Sequence, residues 1–157
     1  MNLDSTEIIQ GRLWIGGYIH PEEVKLLARS FITTVLNLQT DEDIASYGIP
    51  FKRLLTAYQE AGIELRRFPI PDFDLRSLAT SLPQCVAELE EALQSIWSRV
   101  YLHCSAGINR SPTVAAAYLM NCRNMSARQA FDRVASLRDC RPYLEILEEY
   151  NHSLNHR

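Results

Sequence analysis

An apolar run, Val100-Tyr101-Leu102, feeds directly into His103-Cys104; five residues then pass before Arg110-Ser111-Pro112 opens a helical pattern. A cysteine at a strand end, a loop of small residues and a helix N-terminus together make an anion site. The backbone N–H groups of Ser105, Ala106, Gly107, Ile108, Asn109 and Arg110 can turn inward there, and the helix dipole adds positive potential. Arg110 supplies a planar fork that matches two phosphate oxygens. Such a field favours the thiolate of Cys104, the form that attacks. The spacing predicts a nucleophile beneath a phosphate cradle.

The rest of the chain must build a strand, a helix and a core around that loop. At 157 residues and 46% hydrophobic content, residues 1–157 read as a single globular domain with ample core. A formal charge of −3 argues against a general nucleic-acid binder, although a basic pocket on an acidic body is compatible with it. The apolar stretch Val114 to Met120 is far too short to span a bilayer, and MNLDSTEII has neither a signal-peptide core nor an Arg-rich transit pattern. Four cysteines, Cys85, Cys104, Cys122 and Cys140, are scattered without CxxC spacing, which fits reduced thiols. The expectation is a cytoplasmic monomer with no nucleic-acid or membrane partner.

Alternating strand and helix patterns predict an α/β domain, a mostly parallel sheet of four or five strands flanked by helices. Residues 12–16 read as a short first strand, Phe31 to Leu38 as a buried central strand, Ile63 to Ile70 as another, and Val100 to His103 as the strand before the loop. Helices are expected from Pro21 to about Ser30, from Phe51 to Ala61 with Gly62 as the stop, and from about Leu82 to Trp97 with Val86, Leu89, Leu93 and Ile96 on one face. Further helices run from Ser111 to Arg123, from a Ser126–Gln129 capping box with Phe131, Val134 and Leu137 buried, and from about Pro142 to Ser153. Asn37 reads as a structural hydrogen-bonder. Thr40-Asp41-Glu42-Asp43 has the spacing of a capping box for a short helix and reads as a solvated acidic turn rather than a metal site. Asp72-Phe73-Asp74 is a loop at a strand end, where either carboxylate could serve a turn or act as a general acid. His103 beside Cys104 makes a poor zinc pair, because adjacent strand residues leave on opposite faces.

The text HCSAGINRSP, with its C-x5-R spacing, resembles the signature of the cysteine-dependent tyrosine phosphatase superfamily, and of its dual-specificity branch in particular. The RLWIGG and TTVLNL strands and the Asp72 loop fall in that family's order. The resemblance implies that Cys104 attacks phosphorus to give a thiophosphoryl-enzyme while Arg110 and the amides of residues 105–110 bind the equatorial oxygens. It implies that Asp72, 32 positions before Cys104, is the acid and later the base, with Asp74 as the alternative. Ser111 is then the donor to the departing sulfur, its ordinary use being to cap the helix. His103 orients the loop, and neither a cofactor nor a metal is called for. The loop interior lacks the lysines by which phosphoinositide phosphatases of this superfamily meet extra phosphates.

Flanking segments, Asn37 to Ile44, Tyr47 to Ile49, Asp72 to Arg76 and Ser136 to Pro142, are similar to the laforin and starch-excess glucan phosphatases. Phe73 and Tyr143 are candidates to stack on sugar rings, core packing being the ordinary use of each. Asn109 with Ser111 is closer to dual-specificity enzymes that act on phosphoproteins. The expected substrate is therefore a phosphoprotein (Tyr and Ser/Thr), the alternative a starch- or glycogen-like phosphoglucan. A non-catalytic phosphate-binding module is the remaining alternative.

Overall fold

Each inner strand is apolar on both of its faces, so the sheet has to be covered twice. The computed structural model describes residues 3–155; residues 1, 2, 156 and 157 of the expected domain lie outside the described residues. Five strands, β1 (Ser5–Ile9), β2 (Leu13–Gly16), β3 (Thr34–Asn37), β4 (Glu64–Arg67) and β5 (Val100–His103), form one sheet in the order β1-β2-β5-β3-β4. All neighbours are parallel except β1, which pairs antiparallel with β2. Side chains alternate across the sheet. Leu13, Ile15, Leu36, Val100 and Leu102 join one buried layer, and Trp14, Val35 and Tyr101 join the other.

A 3-10 turn (Pro21–Glu23) leads into α1 (Val24–Arg29), which with α2 (Asp41–Ser46) and α3 (Phe51–Ala61), the last closed by Gly62 at φ 70°, packs against the second layer. Against the first pack α4 (Leu75–Ala92), α5 (Arg110–Cys122), α6 (Ala127–Leu137) and α7 (Leu144–Leu154). Ala115, Ala116 and Ala117 are fully buried, their short side chains letting α5 lie close to the sheet. The register sets Gly16 and Asn37 level with His103, so the loops after β2, β3 and β5 meet at one edge. In parallel sheets ligands bind outside the carboxyl ends of the strands. No described helix is long and apolar enough to cross a membrane.

Several expectations need correction. The strand at residues 12–16 is the second, because the polar-looking Ser5–Ile9 pairs with it, burying Ile8. The strands expected over residues 31–38 and 63–70 shorten to Thr34–Asn37 and Glu64–Arg67, since Phe31 sits at φ 61° and Pro69 and Pro71 cannot extend a ladder. The helix expected from Leu82 begins at Leu75 and contains Pro83. The Asp74 cap and the burial of Leu78 and Leu82 outweigh the hydrogen bond that Pro83 forfeits. That helix ends before Ile96, which is 78% exposed rather than buried. In α6 the inward positions are Ala127, Ala130 and Val134, leaving Phe131 half-buried and Leu137 exposed.

Candidate active site

Strand β5 ends on His103, residues 104–109 form a loop, and α5 begins at Arg110. The six carbonyls of that loop are all held from outside. His103 Nδ1 lies 2.9 Å from the oxygen of Cys104, and the Tyr18 amide donates to Ser105 at 3.0 Å. The Arg138 guanidinium donates to Ala106 at 3.1 Å and to Gly107 at 2.8 Å. The Arg141 amide donates to Ile108 at 2.7 Å, and Thr113 donates to Asn109 through its amide at 3.1 Å and its hydroxyl at 2.7 Å. In a planar trans peptide the C=O and the following N–H point opposite ways. Fixing these oxygens outward aims the amides of Ser105, Ala106, Gly107, Ile108, Asn109 and Arg110 inward, where they donate to no protein acceptor among the described residues. The result is an anion nest at the N-terminus of α5.

Cys104 lies at the base of this nest, 2% exposed, with Ser111 Oγ 3.4 Å from its sulfur. Ser111 is the second residue of α5 rather than its cap; the cap position is Asn109, which makes no side-chain cap hydrogen bond and instead donates to the Arg141 carbonyl at 2.9 Å. The Ser111 hydroxyl is thus free of the capping use. A carbonyl only accepts, so His103 carries its proton on Nδ1. Its complete burial, reinforced by the nearby Arg110 charge, drives the imidazole down to about 4 despite the opposing Cys104 hydrogen bond. His103 is therefore a neutral orienting group. Burial pushes the Cys85 thiol up to about 12 and raises those of Cys122 and Cys140, which disfavours their thiolates.

Arg110 is 1% exposed and reaches across the mouth of the nest. Its Nη1 donates to Asp43 Oδ2 at 2.7 Å and to the Ile70 carbonyl at 2.8 Å. Its Nη2 lies 3.3 Å from both Ser105 Oγ and Asp72 Oδ2. One arm of the fork is thereby fixed by protein, while the buried Nε has no partner among the described residues and remains available to an anion. Gln39 Nε2 also holds Ser105 Oγ, at 3.1 Å. Asn37 acts as a structural hydrogen-bonder, accepting from the Gln39 amide at 2.8 Å.

The turn at residues 40–43 is capped as expected, but it is not simply solvated. The Asp43 side chain is only 18% exposed, and Oδ2 accepts from the Thr40 amide at 3.0 Å as well as from Arg110. Burial alone would raise this carboxyl; hydrogen bonds from Arg110 and Thr40 prevail and hold it below its ordinary value. Sequence reasoning missed Asp43, Arg138 and the donors at positions 18 and 141. A capping box gave the only hint, at Asp43, and 67 residues separate that carboxylate from Arg110.

The loop after β4 distinguishes its two carboxylates. Asp72 is 30% exposed and faces Arg110, whereas Asp74 accepts from the Ser77 amide at 3.0 Å and hydroxyl at 2.8 Å. The Ser77 amide bond, with the hydroxyl bond behind it, keeps the Asp74 carboxyl below its ordinary value. Phe73 between them is not a core residue: it is 79% exposed and held at φ 60°. With Asn109, Ile108, Asp139, Cys140, Arg141 and the half-buried Tyr143 it lines a groove of about 530 Å³ beside the nest.

The model of the family "Dual specificity phosphatase, catalytic domain" matches residues 13–155. The chain is 36% identical over 137 residues to the dual specificity protein phosphatase Mpk3 of Drosophila melanogaster, covering 87% of this chain and 29% of that protein. It is 31% identical over 135 residues to the chloroplastic phosphoglucan phosphatase LSF1 of Arabidopsis thaliana, covering 85% of this chain and 23% of that one. The chain therefore spans less than a third of the length of either relative. Among solved structures, that of PTPMT1 superposes with a TM-score of 0.78 at 22% identity, covering 98% of this chain and 97% of the other, a likeness of fold.

Proposed function

The chain belongs to the dual specificity phosphatase family, and from that premise we propose that it is a cysteine-dependent phosphomonoester hydrolase acting on phosphoproteins, at Tyr and at Ser/Thr. The observation that carries this reading is the buried Cys104 sulfur beneath six inward amides and the Arg110 fork.

The steps follow from the geometry. A phosphate dianion binds the loop amides and the free Nε of Arg110. The Cys104 thiolate attacks phosphorus, the S–P bond forms as the P–O bond to the leaving group breaks, and Asp72 gives that oxygen its proton. Asp72 then takes a proton from water, which attacks phosphorus and expels the sulfur. The Ser111 hydroxyl, 3.4 Å away, donates to the departing thiolate. Positioning and charge stabilisation carry most of the rate, as phosphoryl transfer requires. On this reading residues 1–157 act as one catalytic domain, a cytoplasmic monomer; the scattered spacing of the four cysteines fits a reducing compartment.

A second reading, phosphoglucan hydrolysis, is favoured by Phe73. An aromatic side chain that is 79% exposed in a left-handed backbone conformation gains little from folding, and it stands on the rim beside Tyr143 as a stacking surface would. LSF1, one of the matched relatives, is named a phosphoglucan phosphatase.

The deciding experiment measures metal-free phosphate release from an aryl phosphate, from phosphopeptides and from phosphorylated amylopectin at matched enzyme. Phosphopeptide release that disappears in Cys104→Ser, with phosphate binding retained, is the expected outcome. Full activity in that variant overturns the mechanism, and release from amylopectin alone transfers the substrate to the second reading.

A further inference from the structure

Arg138 lies 28 residues beyond Arg110 and outside the signature. Its side chain is nevertheless 9% exposed and wedged between the back of the anion loop and the N-terminal hairpin. Nε donates to the Gly107 carbonyl at 2.8 Å and Nη2 to the Ala106 carbonyl at 3.1 Å, so one guanidinium grips two successive peptides. On the far side, Nη1 meets Thr6 Oγ1 at 3.2 Å and Nη2 meets Asp4 Oδ1 at 3.0 Å, which fixes the fork against β1 and the residue leading into it.

The two gripped peptides are those joined at Gly107. A glycine at φ 68° has neighbouring peptide planes that rotate more easily than those at any other residue type, so the loop is softest at this point. Turning either plane over would replace an inward N–H by an inward carbonyl oxygen, repelling both the thiolate and a bound phosphate. The fit is reciprocal: a Cβ at position 107 would stand 2.6 Å from Arg138 Nη2. A planar, always-charged fork presents fixed donors to two carbonyls one residue apart, which a rotating ammonium does not.

We propose that Arg138 is a positioning residue for phosphoryl transfer, holding the amides of Gly107 and Ile108 toward the anion by gripping the carbonyls of Ala106 and Gly107 from behind. This rests on the phosphatase reading and deepens it. It makes the N-terminal hairpin part of the apparatus, since Thr6 and Asp4 orient the guanidinium.

The test compares Arg138→Ala and Arg138→Lys with the wild type by three readouts: turnover of an aryl phosphate, affinity for inorganic phosphate, and the rate of Cys104 alkylation by iodoacetate at pH 6. The expected result for Arg138→Ala is a kcat at least 30-fold lower with KM changed less than fivefold, phosphate binding at least fivefold weaker, and alkylation at least fivefold slower. Arg138→Lys, able to hold one carbonyl, recovers part of each loss. A folded Arg138→Ala with kcat, phosphate affinity and alkylation all within twofold of wild type overturns the proposal. So does a loss of turnover that only tracks the fraction unfolded. Should the alanine variant fail to fold, the lysine variant decides: a loss of at least threefold in kcat and in alkylation rate supports the role, and parity overturns it. A wild type without turnover refutes the phosphatase reading alone, because phosphate affinity and alkylation still report on the loop.

Discussion

Asp43 Oδ2 accepts from Arg110 Nη1 at 2.7 Å, joining the first turn of α2 to the first residue of α5. The same oxygen closes a capping box with the Thr40 amide, so a local motif that starts a helix also sets the direction of the anion-binding arginine. With Nη1 held by Asp43 and the Ile70 carbonyl, the guanidinium is fixed in place, while its buried Nε keeps no protein partner among the described residues.

Replacing Asp43 by Asn should therefore lower kcat/KM ten- to hundredfold, as expected from losing a charge-assisted hydrogen bond of about 1.5–3 kcal/mol. Steady-state kinetics on an aryl phosphate, with a thermal melt to exclude unfolding, checks this. Wild-type kinetics in a folded Asp43→Asn would show that Arg110 is oriented by its other partners.

The two carboxylates of the loop after β4 should separate by leaving group. Asp72→Asn is expected to slow hydrolysis of alkyl phosphates by about 100-fold or more, the usual scale of general acid–base catalysis, and activated aryl phosphates much less. Asp74→Asn keeps a side-chain oxygen to cap α4, Asn capping about as well as Asp, and should leave stability and turnover close to wild type. A leaving-group dependence in Asp74→Asn would exchange the two assignments.

Ser111→Ala removes the hydroxyl 3.4 Å from the Cys104 sulfur. Because that donor matters when sulfur leaves, breakdown of the thiophosphoryl-enzyme should slow by about tenfold or more, the value of one hydrogen bond to a charged group. Rapid mixing with an aryl phosphate should then reveal a burst of one phenolate per enzyme. Equal slowing of the burst and the steady state would place the role of Ser111 in the first step.

His103 links folding to pH. Its imidazole titrates near 6.5 when unfolded and at about 4 when folded, so between these values the unfolded chain holds the extra proton. Stability is complete above pH 6.5 and falls as pH is lowered toward 4, by about 3 kcal/mol in total. Asp43, whose carboxyl lies below its ordinary 3.8, contributes its loss only beneath that window. Urea midpoints from pH 7 to 4.5 should decline in the wild type and flatten in His103→Asn, which keeps a donor for the Cys104 carbonyl. An unchanged slope in the variant would assign the decline to other groups.

Much of this was legible in the chain because the signals are local. The apolar run before Cys104, the Ser126–Gln129 box and the Gly62 stop each determine a few residues by short-range physics, and each stands where the pattern puts it. Strand β1 was illegible because an edge strand need bury only one side chain, here Ile8. The start of α4 was hidden by Pro83, which reads as a first-turn residue although tertiary packing carries the helix through it. Cys104 and Arg110 announce themselves within one loop, whereas Asp43 and Arg138 act at 67 and 31 residues' separation, on Arg110 and Gly107 respectively. Beyond the capping box at Asp43, nothing local distinguishes either from a surface charge.

The outward carbonyls of residues 104–109 bear on how this activity could be moved. Their partners come from the turn after β2, from β5, from the first turn of α5 and from the segment between α6 and α7. Grafting the ten residues from His103 to Pro112 onto another strand–helix junction would transfer the nucleophile without the conformation that makes it one. A minimal catalytic transplant has to include the turn after β2, the end of β5, the first turn of α5 and the segment between α6 and α7, which for this chain is nearly the whole domain.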